Sequence, residues 1–387
     1  MPQNAPCDDL AAWLRLSLEV SGTSGLRLLR HIGGPERIFA SRWPELARHV
    51  APDLAQRMAR PAENLIATRI AQALEWCARP GHTILPVSAP DYPAHLLTIG
   101  DAPLLLYVDG QMGCLKHPGI AIVGARRATI QGRENARTFA CALARQGLNI
   151  ISGMAMGIDA AAHEGALAAG PTGAGTIAVT GTGLNRVYPR AHAALAERIR
   201  QQGALVSELP LDMPARPHHF PMRNRIVAGL AKGILVVEAA AKSGSLITAR
   251  LGNDTGRDVF ALPGSIHAPL ARGCHELIRQ GAKLTETAED ILNEFEAYPG
   301  PSSGVCQAVA DLACDQGRDR SDASGAALPT RTAFALQACM GYDAIGLDAL
   351  MAHTGQDGAE LASQLLALEL AGTVVRLADG RYQRVQR

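Results

Sequence analysis

The spacing of apolar and polar positions changes character along the chain. Over residues 8–78 apolar residues recur at helical intervals, predicting helices over Asp9–Val20 and Leu26–Ile32 and shorter ones up to Trp76. Glycine breaks flank Leu26–Ile32, the second being Gly33-Gly34-Pro35. They give this N-terminal helical region (1–78) a SAM or helix-hairpin-helix-like look, beside the plainer reading of a helical docking module. Residues 79–118 are Pro-rich, with short strands expected at Thr83–Val87 and Leu104–Val108. Then the period alternates. Short apolar runs at Ile120–Val123, Leu148–Ser152, Ile177–Thr180, Ala204–Ser207 and Ile234–Val237 read as strands. Between them, Arg133–Gln146, Ile158–Ala168 and Ala191–Gln202 read as helices, with a last helix at Ala288–Phe295. Continuously apolar strands suit a sheet covered on both faces. Strand, crossover helix and strand repeated this often predict an α/β core over 79–296, an extended Rossmann-like doubly wound parallel sheet.

From 297 to 329 the pattern gives way to Pro, Gly, Ser, Ala and Asp, as in a flexible linker. Residues 330–387 then predict three helices (Arg331–Cys339, Leu347–His353, Ala359–Ala371) and two strands (Thr373–Leu377, Arg381–Val385). Asp379-Gly380 between the strands signals a type I′ hairpin, and the whole describes a C-terminal winged helix.

Charge changes this picture only locally. The 387 residues carry 37 Lys or Arg against 36 Asp or Glu, a net charge of +1, which excludes a generally basic nucleic-acid coat. Yet from Met213 to Arg250 there are six basic residues (Arg216, Arg223, Arg225, Lys232, Lys242, Arg250) and one acid, Glu238. The eight cysteines form no CxxC pair and no zinc-like spacing, and no apolar run approaches ~18 residues. No metal, cofactor or membrane span is expected, and the expected compartment is the cytoplasm.

Candidate chemistry gathers where strands end. Lys242-Ser243-Gly244-Ser245 follows an apolar strand and opens a helix, placing backbone N–H groups, hydroxyls and a lysine where α/β sheets bind anions. Gly124-Ala125-Arg126 takes the place of a dinucleotide fingerprint but has Arg126 where the second glycine belongs, and an arginine there offers a fork of donors to a phosphate. Ser152 and Gly153 close the next strand, and Asp159 follows as an expected helix cap. Phe220-Pro221-Met222-Arg223-Asn224-Arg225 joins an aromatic, two arginines and an amide, suited to stacking a base and holding phosphates. The plain alternative puts Phe220 in the core and pairs Arg223 with Glu238. His218 and His219, on opposite sides of an extended loop, make poor metal ligands. No nucleophile elbow, HExxH or Walker A sequence occurs, so no catalytic residue is assigned.

These segments together resemble the DprA/Smf family of bacterial DNA-processing proteins of natural transformation. The matching stretches, IAIVGARRATIQGR, IISGMAMGIDAAAHEGAL, HHFPMRNRIVAGLAKGILVVEAA and KSGSLITARLGNDTGRDVFALPG among them, run from Ile120 to about Leu292 with few gaps. The resemblance implies a non-enzymatic protein that binds single-stranded DNA, protects it and loads RecA onto it. It also implies a homodimer formed through the Rossmann-like core. It assigns the DNA site to Gly124, Arg126, Ser152, Gly153, Phe220, Arg223, Asn224, Arg225, Lys242, Ser243, Gly244 and Ser245. One departure is Met156, where many relatives carry arginine. The rival class is a nucleotide phosphoribohydrolase of the LOG type, but its PGGxGTxxE loop has no counterpart at Lys242–Thr248. A third reading makes the winged helix the main DNA reader.

Overall fold

A computed structural model describes residues 7–295, 336, 340, 344–377 and 379–384. Six helices come first: α1 (Cys7–Glu19), α2 (Gly22–Ile32), α3 (Pro35–Ala40), α4 (Trp43–Leu46), α5 (Pro52–Met58) and α6 (Asn64–Cys77). The sheet strands are β1 (His82–Pro86), β2 (Leu105–Gly110), β3 (Gly119–Val123), β4 (Asn149–Ser152), β5 (Thr176–Val179), β6 (Ala204–Ser207), β7 (Gly233–Val236), β8 (Asp258–Ala261) and β9 (Lys283–Leu284). Helices α7 (Ile130–Arg145), α8 (Ile158–Ala168), α9 (Ala193–Gln202), α10 (His219–Leu230), α11 (Gly244–Asp254), α12 (Arg272–Arg279) and α13 (Ala288–Leu292) alternate with them.

The nine strands form one sheet in the order β1-β2-β6-β5-β4-β3-β7-β8-β9. All pairings from β6 to β9 are parallel. At the other edge β2 runs antiparallel to β6 and β1 antiparallel to β2. The predicted parallel sheet is therefore a mixed one with an antiparallel edge. That edge is built from the two short strands of the Pro-rich stretch, while the two-residue β9 was not foreseen. The chain lays down β3, β4, β5 and β6 outward, then returns to place β7 on the opposite flank of β3. Such a reversal is a topological switch point, and it opens a crevice beyond the carboxyl ends of β3 and β7.

Both sheet faces are covered, as the continuous apolar runs require. On one face Ala121, Val123, Val179 and Val236 pack with Ile226 and Val227 of α10, Leu246 of α11 and Leu277 of α12. On the other, Ala178 and Leu205 pack with Ala160, Leu195 and Ile199 of α8 and α9. The N-terminal helices belong to this second layer, because Leu14, Ala73 and Trp76 join the same core as Ile84, Leu105 and Tyr107. They also enclose a core of their own around Trp13, Leu16, Leu28, Ile38 and Met58. Both expected breaks around Leu26 occur, the first at Val20-Ser21 between α1 and α2, with Ser21 extended. Gly33 turns the chain at φ 108°, whereas Gly22 and Gly25 lie inside α2. A Cβ on Gly25 would fall 2.4 Å from Leu104 Cδ1, so this glycine serves close packing against the sheet instead of a turn.

The C-terminal unit has its own hydrophobic core. Helices Leu347–Thr354 and Gly358–Leu370 and the antiparallel strands Val374–Arg376 and Tyr382–Arg384 enclose Leu350, Leu361, Leu365 and Val374. Gly380 is left-handed at φ 83°, and its N–H donates to Leu377 C=O, while Leu377 N–H donates to Arg381 C=O. The expected linker 297–329 and most of Arg331–Cys339 fall outside the described residues. Among the described residues no helix is long and apolar enough to cross a membrane.

One buried titratable group marks the second layer. His163 on α8 has no exposed surface, and its Nδ1 lies 2.7 Å from Thr176 Oγ1, whose own hydroxyl donates to Ile150 C=O. Burial, helped by nearby His192 and Arg223, holds the imidazole at a pKa of about 3 against an ordinary 6.5. The folded protein refuses a proton that the unfolded chain accepts below pH 6.5, so stability falls as pH drops from there toward 3. One proton is worth about 1.4 kcal/mol per pH unit, or roughly 2 kcal/mol by pH 5. Urea unfolding from pH 7 to pH 5 is expected to show this loss in the wild type and a shallower one in His163→Gln.

Candidate nucleic-acid interface

The crevice at the switch point is an open cleft of about 370 Å³. Four pieces of chain build it. Val123, Gly124 and Arg126 come from the end of β3 and the turn after it, Ala155 from the turn after β4 and Asp159 from the start of α8. Phe220, Pro221, Arg223 and Asn224 come from the first turn and a half of α10. Ser243, Gly244, Ser245, Ile247 and Thr248 come from the start of α11.

The two turns are locked back to back by a glycine. Gly157 is left-handed at φ 83°, and a Cβ there would stand 2.3 Å from Ala125 C=O and 2.6 Å from Arg126 C=O. Only a residue without a side chain lets these loops meet. Ile158 N–H then donates across to Ala125 C=O at 3.3 Å. Beneath the cleft sits a desolvated ion pair. Arg223 is 6% exposed, and its Nη1 lies 4.0 Å from Asp159 Oδ2. Asp159 Oδ2 also accepts the N–H groups of Gly153 and Ala155 at 3.2 and 3.3 Å. The carboxylate thus ties down the loop before its helix, instead of capping that helix as expected. Burial pushes the Asp159 carboxyl up and the Arg223 guanidinium down, each partly opposed by the other's charge. Arg223 pairs with Asp159, not with Glu238. The guanidinium needs room, and Gly153 supplies it: a Cβ there would overlap Arg223 Nη1.

Above this pair lies the ligand-facing surface. Arg126 is exposed, with its guanidinium 5.6 Å from the centre of the Phe220 ring. Phe220 is half-buried, and Tyr188 stands beside it with ring centres 5.5 Å apart, so the aromatic surface is broader than one ring. The opposite wall is the N-terminus of α11. Ser243 caps it by accepting Ser245 N–H at 3.3 Å, and the two hydroxyls lie 2.6 Å apart. The positive end of the helix dipole therefore meets the cleft together with two hydroxyls. Asn224 Nδ2 reaches across to Gly244 C=O at 3.5 Å. The chemistry this arrangement offers is an anion site beside a stacking face.

Eight of the twelve sequence-predicted residues line the cleft: Gly124, Arg126, Phe220, Arg223, Asn224, Ser243, Gly244 and Ser245. Gly153 lies just below, making space. The other three do not join it. Ser152 is fully buried and its hydroxyl donates to Ile122 C=O at 2.7 Å, stitching β4 to β3. Lys242 is exposed ahead of the α11 cap but not in the lining. Arg225 points away from Arg223, since two residues span about 200° of helix. It pairs with Glu208, and with Asp101 at 3.5 Å, in a largely buried network. Ile247 and Thr248 were missed, although they follow Gly244 at i+3 and i+4 and so share its face. Gly157 and Tyr188 carried no such signal. Met156, 57% exposed, is not in the lining. His218 and His219 begin α10 with rings 4.5 Å apart edge to face, not on opposite sides of an extended loop. Among the described residues no group of three or more His, Cys, Asp or Glu is placed to hold a metal.

Two substitutions separate the cleft from its supports. Gly153→Ala is expected to displace the Arg223 guanidinium and weaken anion binding while leaving the sheet folded. Arg225→Ala should lower stability by roughly 1.5–3 kcal/mol, because Glu208 loses a charged partner in a largely buried setting. The affinity of the folded Arg225→Ala protein for a cleft ligand should hardly change. Chemical unfolding and ligand titration of both variants check the contrast.

Comparison with known proteins agrees with this architecture. The profile of the DNA recombination-mediator protein A family matches residues 83–296, and that of the DprA winged helix domain matches 321–380. Protein Smf of Escherichia coli is 37% identical over 98% of this chain and 96% of its own length. DNA processing protein DprA of Streptococcus pneumoniae is 47% identical over 53% of this chain and 71% of its own. The X-ray structure of the pneumococcal DprA superposes with a TM-score of 0.65 at 34% identity, covering 76% of this chain and all of that one. A Helicobacter pylori DNA processing protein A structure, described for its unique single-stranded DNA binding mode, gives 0.50 at 30% identity over 55% of this chain and 95% of that one. This chain belongs to the DprA/Smf family of DNA-processing proteins.

Proposed function

We propose that the cleft between the turns after β3 and β4 and the starts of α10 and α11 binds single-stranded DNA. One observation carries the reading: a half-buried phenylalanine under an exposed arginine, facing a helix N-terminus across an open crevice. Phe220 offers a stacking face to any base, Arg126 supplies charge to the adjoining phosphate, and the α11 N-terminus with Ser243 and Ser245 holds a second one. A stacking face reaches an unpaired base but not one inside a duplex, so single strands are preferred. Arg223 adds positive potential from below, screened by Asp159 alone among the lining residues. That one carboxylate is held by Arg223 and two backbone amides, which favours binding over chemistry and disfavours a glutamate-assisted phosphoribohydrolase. The Helicobacter pylori relative and the family resemblance support the same ligand. By that resemblance the protein acts in the cytoplasm as a homodimer, protecting incoming single strands and passing them to RecA in transformation.

Fluorescence anisotropy on labelled oligo-dT tests the reading. Arg126→Ala and Phe220→Ala are each expected to cost about 1–3 kcal/mol of binding free energy. Wild-type affinity should fall steeply with salt, and duplex should compete poorly. Unchanged affinity in both variants would place the DNA elsewhere. Removing everything after Glu296 should leave most single-strand binding intact, and its disappearance would transfer the site to the winged helix.

A further inference from the structure

We propose that the N-terminal helices take part in DNA binding. A second groove, between α6 and the loop that leads into α10, would hold the phosphodiester backbone of a strand that has left the cleft. The inference rests on the single-strand reading above and extends it to a surface outside the Rossmann-like core. The groove has a volume of about 170 Å³. That is room for a sugar-phosphate segment more than for a stacked base. Arg69 and Gln72 line it from α6, and Arg216 lines it from the loop, with Tyr107 of β2 among the residues that close it. All three polar side chains are exposed, and neither arginine makes an ion pair or a side-chain hydrogen bond among the described residues. Asp212 is the one acid in the lining, and its Oδ1 already accepts from Asn185 Nδ2 at 3.1 Å. The groove therefore presents two uncommitted guanidinium forks and an amide to an anion.

Its position fits the DNA path. Arg216 precedes Phe220 by four residues, a reach of at most about 14 Å even in extended chain. The link is shorter than that, because His219 N–H donates back to Arg216 C=O at 3.0 Å. A base stacked on Phe220 thus leaves its neighbouring nucleotides within reach of Arg216, and then of Arg69 across the groove. Arg69 belongs to a helix whose neighbours Ala73 and Trp76 pack in the same core as the sheet, so the two walls keep a fixed relation. A repeating polyanion matches two separated cationic forks better than a single small anion does.

The test compares oligo-dT of about 6 nucleotides, enough to fill the cleft, with oligo-dT of about 20, long enough to cross the groove as well. Binding of full-length wild type, Arg69→Gln, Arg216→Gln and Arg126→Ala is followed by anisotropy over a salt series. Arg69→Gln should weaken the long oligonucleotide by about threefold to tenfold and leave the short one unchanged. The slope of log affinity against log salt for the long strand should shrink by about 0.7, the value for one phosphate contact on a single strand. Arg216→Gln should do the same, and both proteins should keep the wild-type unfolding midpoint because both residues are exposed. Wild-type affinities and salt slopes at both lengths in Arg69→Gln would overturn the proposal and leave the groove to an acidic protein partner. An equal loss at both lengths would also overturn it, by placing Arg69 within reach of the cleft ligand. Failure of the cleft reading shows differently: Arg126→Ala would then bind both lengths like wild type.

Discussion

The cleft depends on one arginine that has been taken out of water. Arg223 lies beneath the ligand-facing surface, held by Asp159 at 4.0 Å and by the space that Gly153 leaves. Burying such a pair costs several kcal/mol per ion in desolvation, and mutual attraction returns only part of it. A pair this loosely made is poorly explained as a stabilising device. Its effect is on position and field: the Asp159 carboxylate pins the loop after β4 through two amides, and the guanidinium keeps positive charge below the stacking face. Gly157 completes the arrangement by letting the loops after β3 and β4 touch. The backbone around the cleft is thereby set before any ligand arrives, which lowers the ordering cost of binding.

Helix α10 serves two tasks through its period. Arg223 and Arg225 are two residues apart and face opposite ways, one under the cleft and the other into the Glu208 and Asp101 network. Phe220, three residues before Arg223, shares its face and meets Arg126. The same basic segment thus supplies both a wall of the cleft and the anchor that fixes its helix. A net charge of +1 is compatible with DNA binding because most of the charge elsewhere is balanced and the surplus is concentrated here.

The N-terminal helices are not a satellite in packing terms. Trp76 stacks on His82 at 4.1 Å and meets Tyr107 edge-on, while Leu14 and Ala73 enter the core on the same sheet face as α8 and α9. A helical segment that helps cover the sheet also presents its outer side next to the loop leading to Phe220. Architecture and the proposed DNA path are in this way linked through shared hydrophobic surface.

The sequence by itself determined the strand and helix alternation, the doubly wound core and the cleft's main residues. Each of these is written in local patterns: apolar runs for doubly covered strands, a small-residue loop before a helix, an aromatic beside arginines. The winged helix was legible for the same reason. What the tertiary structure alone decided was direction and partnership. The sequence pattern does not say that β1 and β2 return antiparallel, because pairing direction is a property of where the chain comes back and not of side-chain period. Nor does it say that Gly25 serves Leu104 and Gly153 serves Arg223, since a glycine's need for space depends on a neighbour far along the chain. Ser152 and Arg225 looked like ligands by type but spend their donors on Ile122 and Glu208. Polar side chains satisfy whatever lies nearest in the fold, and that is fixed only when the strands and helices have been assembled.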